Sequence, residues 1–458
     1  MRTGELGHWW RSLGGAQPSH PPLRGAHEAD VAIVGGGLTG LWSAYHLARA
    51  EPSLRIVLLE GELLGFGASG RNGGWVSGFF SGPARSYERH GGRGAYLALQ
   101  REMFATVGQI IEAVEQHGIE ADLVHGGVLT AALGQAQAAN LREEVLRAHA
   151  LGLAEDDLRL LSACELAGRV RVLGASAGSF SPHVARVHPA KLVRGLARVV
   201  ADLGVQIHEE TRVTAIEPRL ALSAGGRVAA RWVIRATEGY TGALPGLRRA
   251  LAPVNSSMIV TEPLSAAAWE EIGWDGCEAL ADGAHVYAYL QRTADGRIAI
   301  GGRGVPYRYG SRTNGRGTTP ARTAAGLTER LHAMFPAARG TAIAHAWSGV
   351  LGVPRDWCVS VQADPRTGLA WAGGYVGEGV AASHLAARIL RDLVLGRESE
   401  LTALPWVGRE PPRWEPEPLR WLGIRGLYSL YRAADRLEAL SGRPSRLAGR
   451  LDALSGRA

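Results

Sequence analysis

The sequence predicts an α/β protein, α+β overall, with a Rossmann-like opening unit and a sheet-rich region after it. Three observations carry this. Residues 30–60 read as strand, glycine turn, helix, strand. A second stretch of helix and short strands begins at His188. Residues 251–310 alternate strand-like runs with turns. The chain has 458 residues, of which 46% are hydrophobic and 20% charged, enough apolar material for two or three domains.

Asp30 to Val34 is a short, β-branched apolar run, the pattern of a strand buried on both faces. Leu41 to Ala50 carries apolar residues at helical spacing, and Pro52 closes it. Leu54 to Glu60 is the second strand. Residues 61–85 form a glycine-rich loop region. Helices are expected over Tyr96 to His117 and over 135–152, with a strand from Gly126 to Ala132 between them. Pro189 to Leu203 reads as a helix broken by Gly204. Short strands follow at Val205 to His208, Val213 to Ile216 and Trp232 to Ala236. In the next stretch the expected strands are Ser257–Thr261, His285–Gln291 and Arg297–Gly301, the last two joined by a turn at 294–296. A helix over 320–335, a strand at Gly368 to Gly374 and a helix from about Ala381 to Leu395 complete the pattern. Five prolines between 405 and 418 mark an extended segment, and 419–440 is an amphipathic, arginine-bearing helix. It either docks on its own domain or contacts a membrane or partner.

Gly35-x-Gly37-x-x-Gly40 lies between the first strand and the first helix, where a dinucleotide site requires it. Gly35 makes the turn. Gly37 lets the pyrophosphate approach the backbone at Leu38 and Thr39, and Gly40 lets helix pack on strand. Glu60 ends the second strand 20 residues after Gly40, placed to accept from a ribose hydroxyl and to disfavour a 2′-phosphate. These features fit FAD and NAD alike. The long loop of Gly67, Ala68, Ser69, Gly70, Arg71, Asn72, Gly73 and Gly74 favours FAD, because it can lay backbone N–H groups along a second, bulkier ligand portion.

Together, the segment Val31 to Gly40, Glu60 and the Gly67–Gly74 loop resemble the D-amino-acid-oxidase/glycine-oxidase superfamily. The loop most resembles the γ-glutamylputrescine oxidase branch. Later segments agree: Glu210 to Val213, the Ala236, Thr237, Gly239 turn, and the run through Gly374, Gly377, Glu378, Gly379 and Val380. The resemblance covers about residues 29–400. It implies a flavin domain assembled from 29–85, 166–240 and 346–400, and a substrate domain from 86–165 and 241–345 whose sheet roofs the flavin. Residues 1–28 are then an N-terminal arm, and 401–458 a proline-rich segment plus terminal helix. The resemblance also implies that Val213 meets the adenine, and that the helix start at 377–380 faces the flavin edge where negative charge develops.

Departures from the family pattern matter. Arg71 stands where some relatives carry a covalently attached histidine, and no cysteine lies in Trp347 to Gly352, so non-covalent FAD is expected, with Cys358 the nearest thiol. Ala299 stands where sarcosine oxidases carry an oxygen-activating lysine, and the single lysine of the chain, Lys191, lies in a helix of the flavin domain. The acceptor is therefore open between oxygen and a quinone or electron-transfer protein. Tyr287, Tyr289 and Arg303 can present phenols and a guanidinium to an anionic amine, although ordinary sheet packing explains the same pattern. His345 is a candidate base or a structural histidine. Trp347 and Trp371 fit a core.

The formal net charge of +7 comes almost wholly from arginine, without a basic run interleaved with aromatics, so no nucleic-acid partner is expected. The three cysteines form no disulfide or metal spacing. Residues 1–15 lack a signal-peptide pattern, and no apolar run reaches membrane length; a cytoplasmic protein is expected. The reading is an FAD-dependent oxidoreductase acting on the C–N bond of a primary or secondary amine or amino acid. A non-catalytic flavin-binding sensor and an NAD-dependent dehydrogenase are the alternatives.

Overall fold

The computed structural model describes residues 1–313 and 315–455; Asn314 and the last three residues of the 401–458 segment lie outside it. The strand Gly25–Val34 is the spine of the first sheet, and its last four residues are buried. Ile56–Leu59 runs parallel on one side, with Val31 opposite Ile56. Gly226–Arg235 runs parallel on the other, with Val31 opposite Trp232. Gln206–His208 extends one edge and Leu369–Gly373 pairs with the end of Gly226–Arg235. Buried parallel strands need helices on their faces. Leu38–Ala50 supplies one, packed against both Pro189–Asp202 and Gly379–Leu395. A Rossmann-like sheet is thus built from separated stretches of chain, as expected.

A second, nine-stranded mixed sheet stands over the first. Its order is Arg2–Thr3, Ile343–Val353, Ala252–Thr261, Ile298–Gly302, Tyr289–Arg292, Ala279–Asp282, Val128–Leu133, Ala175–Ser181, Arg159–Ser162. Its third strand, Ala252–Thr261, is buried along its whole length. The helix Ala321–Met334 packs against it and contributes Leu327 and Leu331 to the sheet's own core.

Three expectations change. Ala175–Ser181 and the whole of Ile343–Val353 belong to this second sheet, so the boundaries drawn at 166 and 346 fall inside it. Local periodicity reports that a strand is buried but not which sheet buries it. The strand expected over His285–Gln291 begins only at Tyr289. The N–H groups of His285 and Val286 donate instead to the Asp435 carboxylate, at 2.8 and 3.2 Å, so the terminal helix takes the bonds a longer ladder would have used. The first 28 residues are no loose arm. Arg2–Thr3 pairs in parallel with His345 and Ala346, and the short helix His8–Arg11 buries Trp9 and Trp10. Trp9 donates through Nε1 to the Asn72 carbonyl at 2.9 Å.

The helix Leu419–Ser441, which a last helix Arg446–Ser455 follows, docks on its own chain. Ile424, Tyr428 and Tyr431 join a cluster with Val254, Val353, Val376 and Trp414, while Leu422, Leu430, Leu437 and Leu440 face outward. Among the described residues no helix is long and apolar enough to cross a membrane.

Candidate active site

A cleft of about 1240 Å³ runs along the carboxyl ends of the parallel strands, where open α/β sheets bind ligands. Gly35, Gly37, Leu38, Thr39, Glu60, Gly67, Ala68, Ser69, Asn72, Val213, Ala236, Thr237, Gly239, Gly377, Gly379 and Val380 all line it. Gly35 has φ +113°, and a Cβ there would lie 2.5 Å from the Ala236 carbonyl oxygen. A Cβ on Gly40 would lie 2.0 Å from the Gly35 carbonyl oxygen, so Gly40 sets the helix-to-strand distance from behind the cleft. The helix starting at Leu38 has no side-chain cap of its own; Ser69 Oγ accepts from the Leu38 N–H at 2.8 Å.

Glu60 is held rigidly. Its two oxygens accept from the N–H groups of Gly36 (2.7 Å) and Glu62 (2.9 Å), leaving each oxygen a further lone pair toward the cleft. Burial pushes its carboxyl up to about 7, and these two N–H groups limit the rise. Asn72 staples its own loop: Nδ2 donates to the Ser69 carbonyl at 2.7 Å and Oδ1 accepts from the Gly74 N–H at 2.7 Å. Gly70 and Gly74 lie behind the loop, where a Cβ would strike Trp10 and Gln291 respectively. Gly374 also lies behind the cleft.

Glu238 explains why Gly374 matters, and sequence reasoning missed it. One oxygen of its buried carboxylate accepts from the N–H groups of Gly374 and Tyr375, both at 2.9 Å. It thereby ties the 236–240 turn to the 373–377 turn. Burial lifts its carboxyl to about 7, offset by those N–H groups and by Arg235. The only advance signal was its place inside the Ala236 to Tyr240 turn.

The cleft fits the cofactor that its glycines suggest. The Tyr240 hydroxyl is buried, faces the cleft and has no hydrogen-bond partner among the described residues. The glycine cradle admits backbone-close contact to a pyrophosphate, and the carboxylate at Glu60 suits a ribose.

Where the cleft meets the second sheet, a smaller cavity of about 660 Å³ opens. It is lined by Arg71, Gly73, Trp75, Ser256, Tyr287, Tyr289, Arg303 and Glu378, and shares Ala68, Asn72, Gly377 and Val380 with the cleft. Tyr289 sits in a slot made by two glycines: a Cβ on Gly301 or Gly73 would fall 2.2 or 2.8 Å from its ring. Its hydroxyl shares a 2.8 Å hydrogen bond with Ser256 Oγ, and burial keeps it a neutral phenol. Among the described residues Arg303 donates one long bond, Nη2 to the Val376 carbonyl at 3.4 Å, and its guanidinium lines the cavity beside Tyr287, Tyr289 and Glu378. Glu378 precedes the helix Gly379–Leu395. Burial raises its carboxyl, while a hydrogen bond from Ser77 and the Arg303 charge oppose the rise. Arg71 is buried, donates Nη1 to the Gly315 carbonyl at 2.8 Å and stacks over Phe66.

Of the three catalytic candidates, the structure brings Tyr289 and Arg303 together and excludes His345. The ring of His345 lines neither cavity; its Nε2 lies 2.9 Å from the Gly4 carbonyl oxygen, beneath the first strand. Sequence cannot anticipate that contact, because the Gly4 carbonyl comes from the far end of the chain. Trp347 is fully buried and donates to the Arg71 carbonyl at 2.9 Å, and Trp371 lies under Arg235. Ala299 is buried in the sheet, and Lys191 pairs with Asp122 at 2.6 Å outside the cleft. Ser256 and Trp75 gave no sequence signal.

Comparison with known proteins adds four findings. The profile of the FAD dependent oxidoreductase (DAO) family matches residues 30–393. Gamma-glutamylputrescine oxidoreductase of Escherichia coli K12 is 32% identical over 381 residues, covering 80% of this chain and 84% of that protein. A probable oxidoreductase, OrdL, of Haemophilus influenzae is 29% identical over 399 residues, covering 83% and 86%. Among solved structures, glycine oxidase from Geobacillus kaustophilus superposes with a TM-score of 0.71 at 20% identity, over 84% of this chain and 100% of that one.

Proposed function

The chain belongs to the FAD dependent oxidoreductase family, and from that premise we propose that it oxidises the C–N bond of an amine that also bears a carboxylate. The carrying observation is the small cavity at the end of the cleft. There the Arg303 guanidinium, the buried Glu378 carboxyl and two tyrosines surround one space beside the helix start at Gly379. Relatives described as acting on γ-glutamylputrescine and on glycine support the amine class.

The proposed cofactor residues are those that line the cleft, with Gly40, Gly70, Gly74 and Gly374 shaping it from behind. FAD, when bound, supplies two-electron chemistry by accepting hydride from the carbon beside the substrate nitrogen. The chain supplies position and charge. Arg303 pairs with the substrate carboxylate by two parallel hydrogen bonds. The Tyr289 phenol, braced by Ser256, donates to the same group or to a second substrate oxygen. Glu378, with its carboxyl raised by burial, accepts the ammonium proton, since only a neutral amine can release hydride from its carbon. The imine leaves and hydrolyses to an aldehyde or keto acid. Attachment of FAD is non-covalent in this reading: Arg71 occupies the loop position, and Cys358 is buried against Asp356, outside both cavities. Three free cysteines suit the cytoplasm. Family membership displaces the NAD-dependent alternative.

The test is anaerobic mixing of the FAD-loaded protein with an amine panel while the flavin bands are followed, then admission of air. Bleaching by carboxylate-bearing amines supports the reading; fast recovery in air marks oxygen as acceptor, and slow recovery a quinone or electron-transfer protein. Flavin that no amine bleaches overturns it in favour of the non-catalytic alternative.

A further inference from the structure

A third cavity, of about 800 Å³ and open to solvent, lies behind the loop that forms the small cavity's wall. Two of its lining side chains hold that loop from outside. Trp9 donates to the Asn72 carbonyl at 2.9 Å, and Gln291 Nε2 donates to the Gly73 carbonyl at 2.6 Å. His8, Asp122, Arg186, His188 and Lys191 complete the ring around it.

The charges in this cavity do not balance. Asp122 is taken by Lys191 at 2.6 Å. Asp295, on the rim, is taken by Arg297 at 2.6 Å and by the Thr293 hydroxyl at 2.6 Å. His8 and His188 are pushed down to about 4 by burial and are neutral near pH 7. Arg186 is left over. Its side chain lines the cavity at 6% exposure, and its guanidinium makes no hydrogen bond or ion pair among the described residues; Nε is fully enclosed and unpartnered. A buried, unpaired guanidinium is costly to keep. The helix Pro189–Asp202 also begins here, with its positive end at His188.

We infer that this cavity is a binding site for a small oxyanion, a carboxylate or phosphate group, gripped by Arg186. Five donors in a planar fork match two oxygens of such a group, and Lys191 lines the same cavity with Asp122 as its present partner. The site is separate from the amine cavity but mechanically close to it. Arg186 is the register partner of Trp75, and the Val187 N–H donates to the Gly74 carbonyl at 2.8 Å. An anion here bears on the ribbon that carries Trp75 into the amine cavity without touching the cleft.

The test titrates the FAD-loaded protein with inorganic phosphate and, separately, with succinate, reading tryptophan fluorescence and calorimetric heat while the flavin bands are monitored. Saturable binding that leaves the flavin bands in place is expected, with the tighter of the two anions naming the natural class. Arg186→Met should weaken it about ten-fold or more. Asp122→Asn, at a side chain 24% exposed and a left-handed backbone (φ +50°) that asparagine also adopts, releases Lys191 and should tighten it by roughly three- to ten-fold. No saturation by either anion overturns the inference. So does binding unmoved by both substitutions, or binding that shifts the flavin bands and is lost in Arg303→Met.

Discussion

Arg303→Met separates recognition of the substrate carboxylate from everything else the small cavity does. Among the described residues this guanidinium donates one 3.4 Å hydrogen bond, to the Val376 carbonyl, and it lines the cavity with Tyr287, Tyr289 and Glu378. A hydrogen bond to a charged group contributes about 1.5–3 kcal/mol, or roughly 10- to 150-fold in kcat/KM. A bidentate pair lies at or above the upper end. Methionine keeps the stem's packing and removes only the fork. Losing the neighbouring cation raises the Glu378 carboxyl further, so turnover is compared at the alkaline plateau of each pH profile, where that carboxylate again accepts a proton. The assay is steady-state turnover on matched amines with and without a carboxylate, beside urea unfolding. The expected result is a loss of about 100-fold for the carboxylate-bearing amine and under about 5-fold for its neutral analogue. Equal losses for both, or a preference for the neutral amine in the unaltered enzyme, refute the assignment of Arg303.

Gly40→Ala places a Cβ 2.0 Å from the Gly35 carbonyl oxygen, forcing helix from strand; about 1–3 kcal/mol of stability should be lost, with weaker FAD retention on gel filtration. Trp9→Ala removes a fully buried ring and the bond to Asn72; a loss of about 3–5 kcal/mol in chemical unfolding is expected, and an unchanged midpoint would show that the first 28 residues are dispensable. Asp435→Ala frees the two N–H groups of the loop before Tyr289, and KM should rise several-fold, roughly, with kcat nearly kept. His384 is pushed down to about 3 by burial. The unfolded chain therefore binds a proton between pH 6.5 and 3 that the folded chain does not, and stability falls as pH drops through that window. Unfolding midpoints of His384→Gln measured from pH 7 to 4 should decline more shallowly than those of the unaltered protein.

The cofactor cleft was legible because each of its parts has a local signature. The turn at Gly35, the strand ending at Glu60 and the small-residue loop to Gly74 are each continuous in sequence, and strand-before-helix order already orients the glycines. Glu238 escaped because its role depends on N–H groups 136 and 137 residues away, at Gly374 and Tyr375. His345 was misassigned for a related reason. No local pattern marked its strand, and the group its ring meets, the Gly4 carbonyl, comes from the other end of the chain.

By itself, the sequence determined the Rossmann-like unit, the cofactor class and the family, because these rest on short-range backbone requirements: positive φ, free helix N–H groups and a carboxylate at a strand end. Only the tertiary structure decided that Tyr289, Ser256, Arg303 and Glu378 share one cavity, that Trp9 braces the loop at Asn72, and that Arg186 finds no hydrogen-bond partner among the described residues. Those facts are sums over distant segments. Burial, charge pairing and strand register across two sheets appear in no single window of sequence, and they set the cost of each unpaired group only once the chain has closed around it.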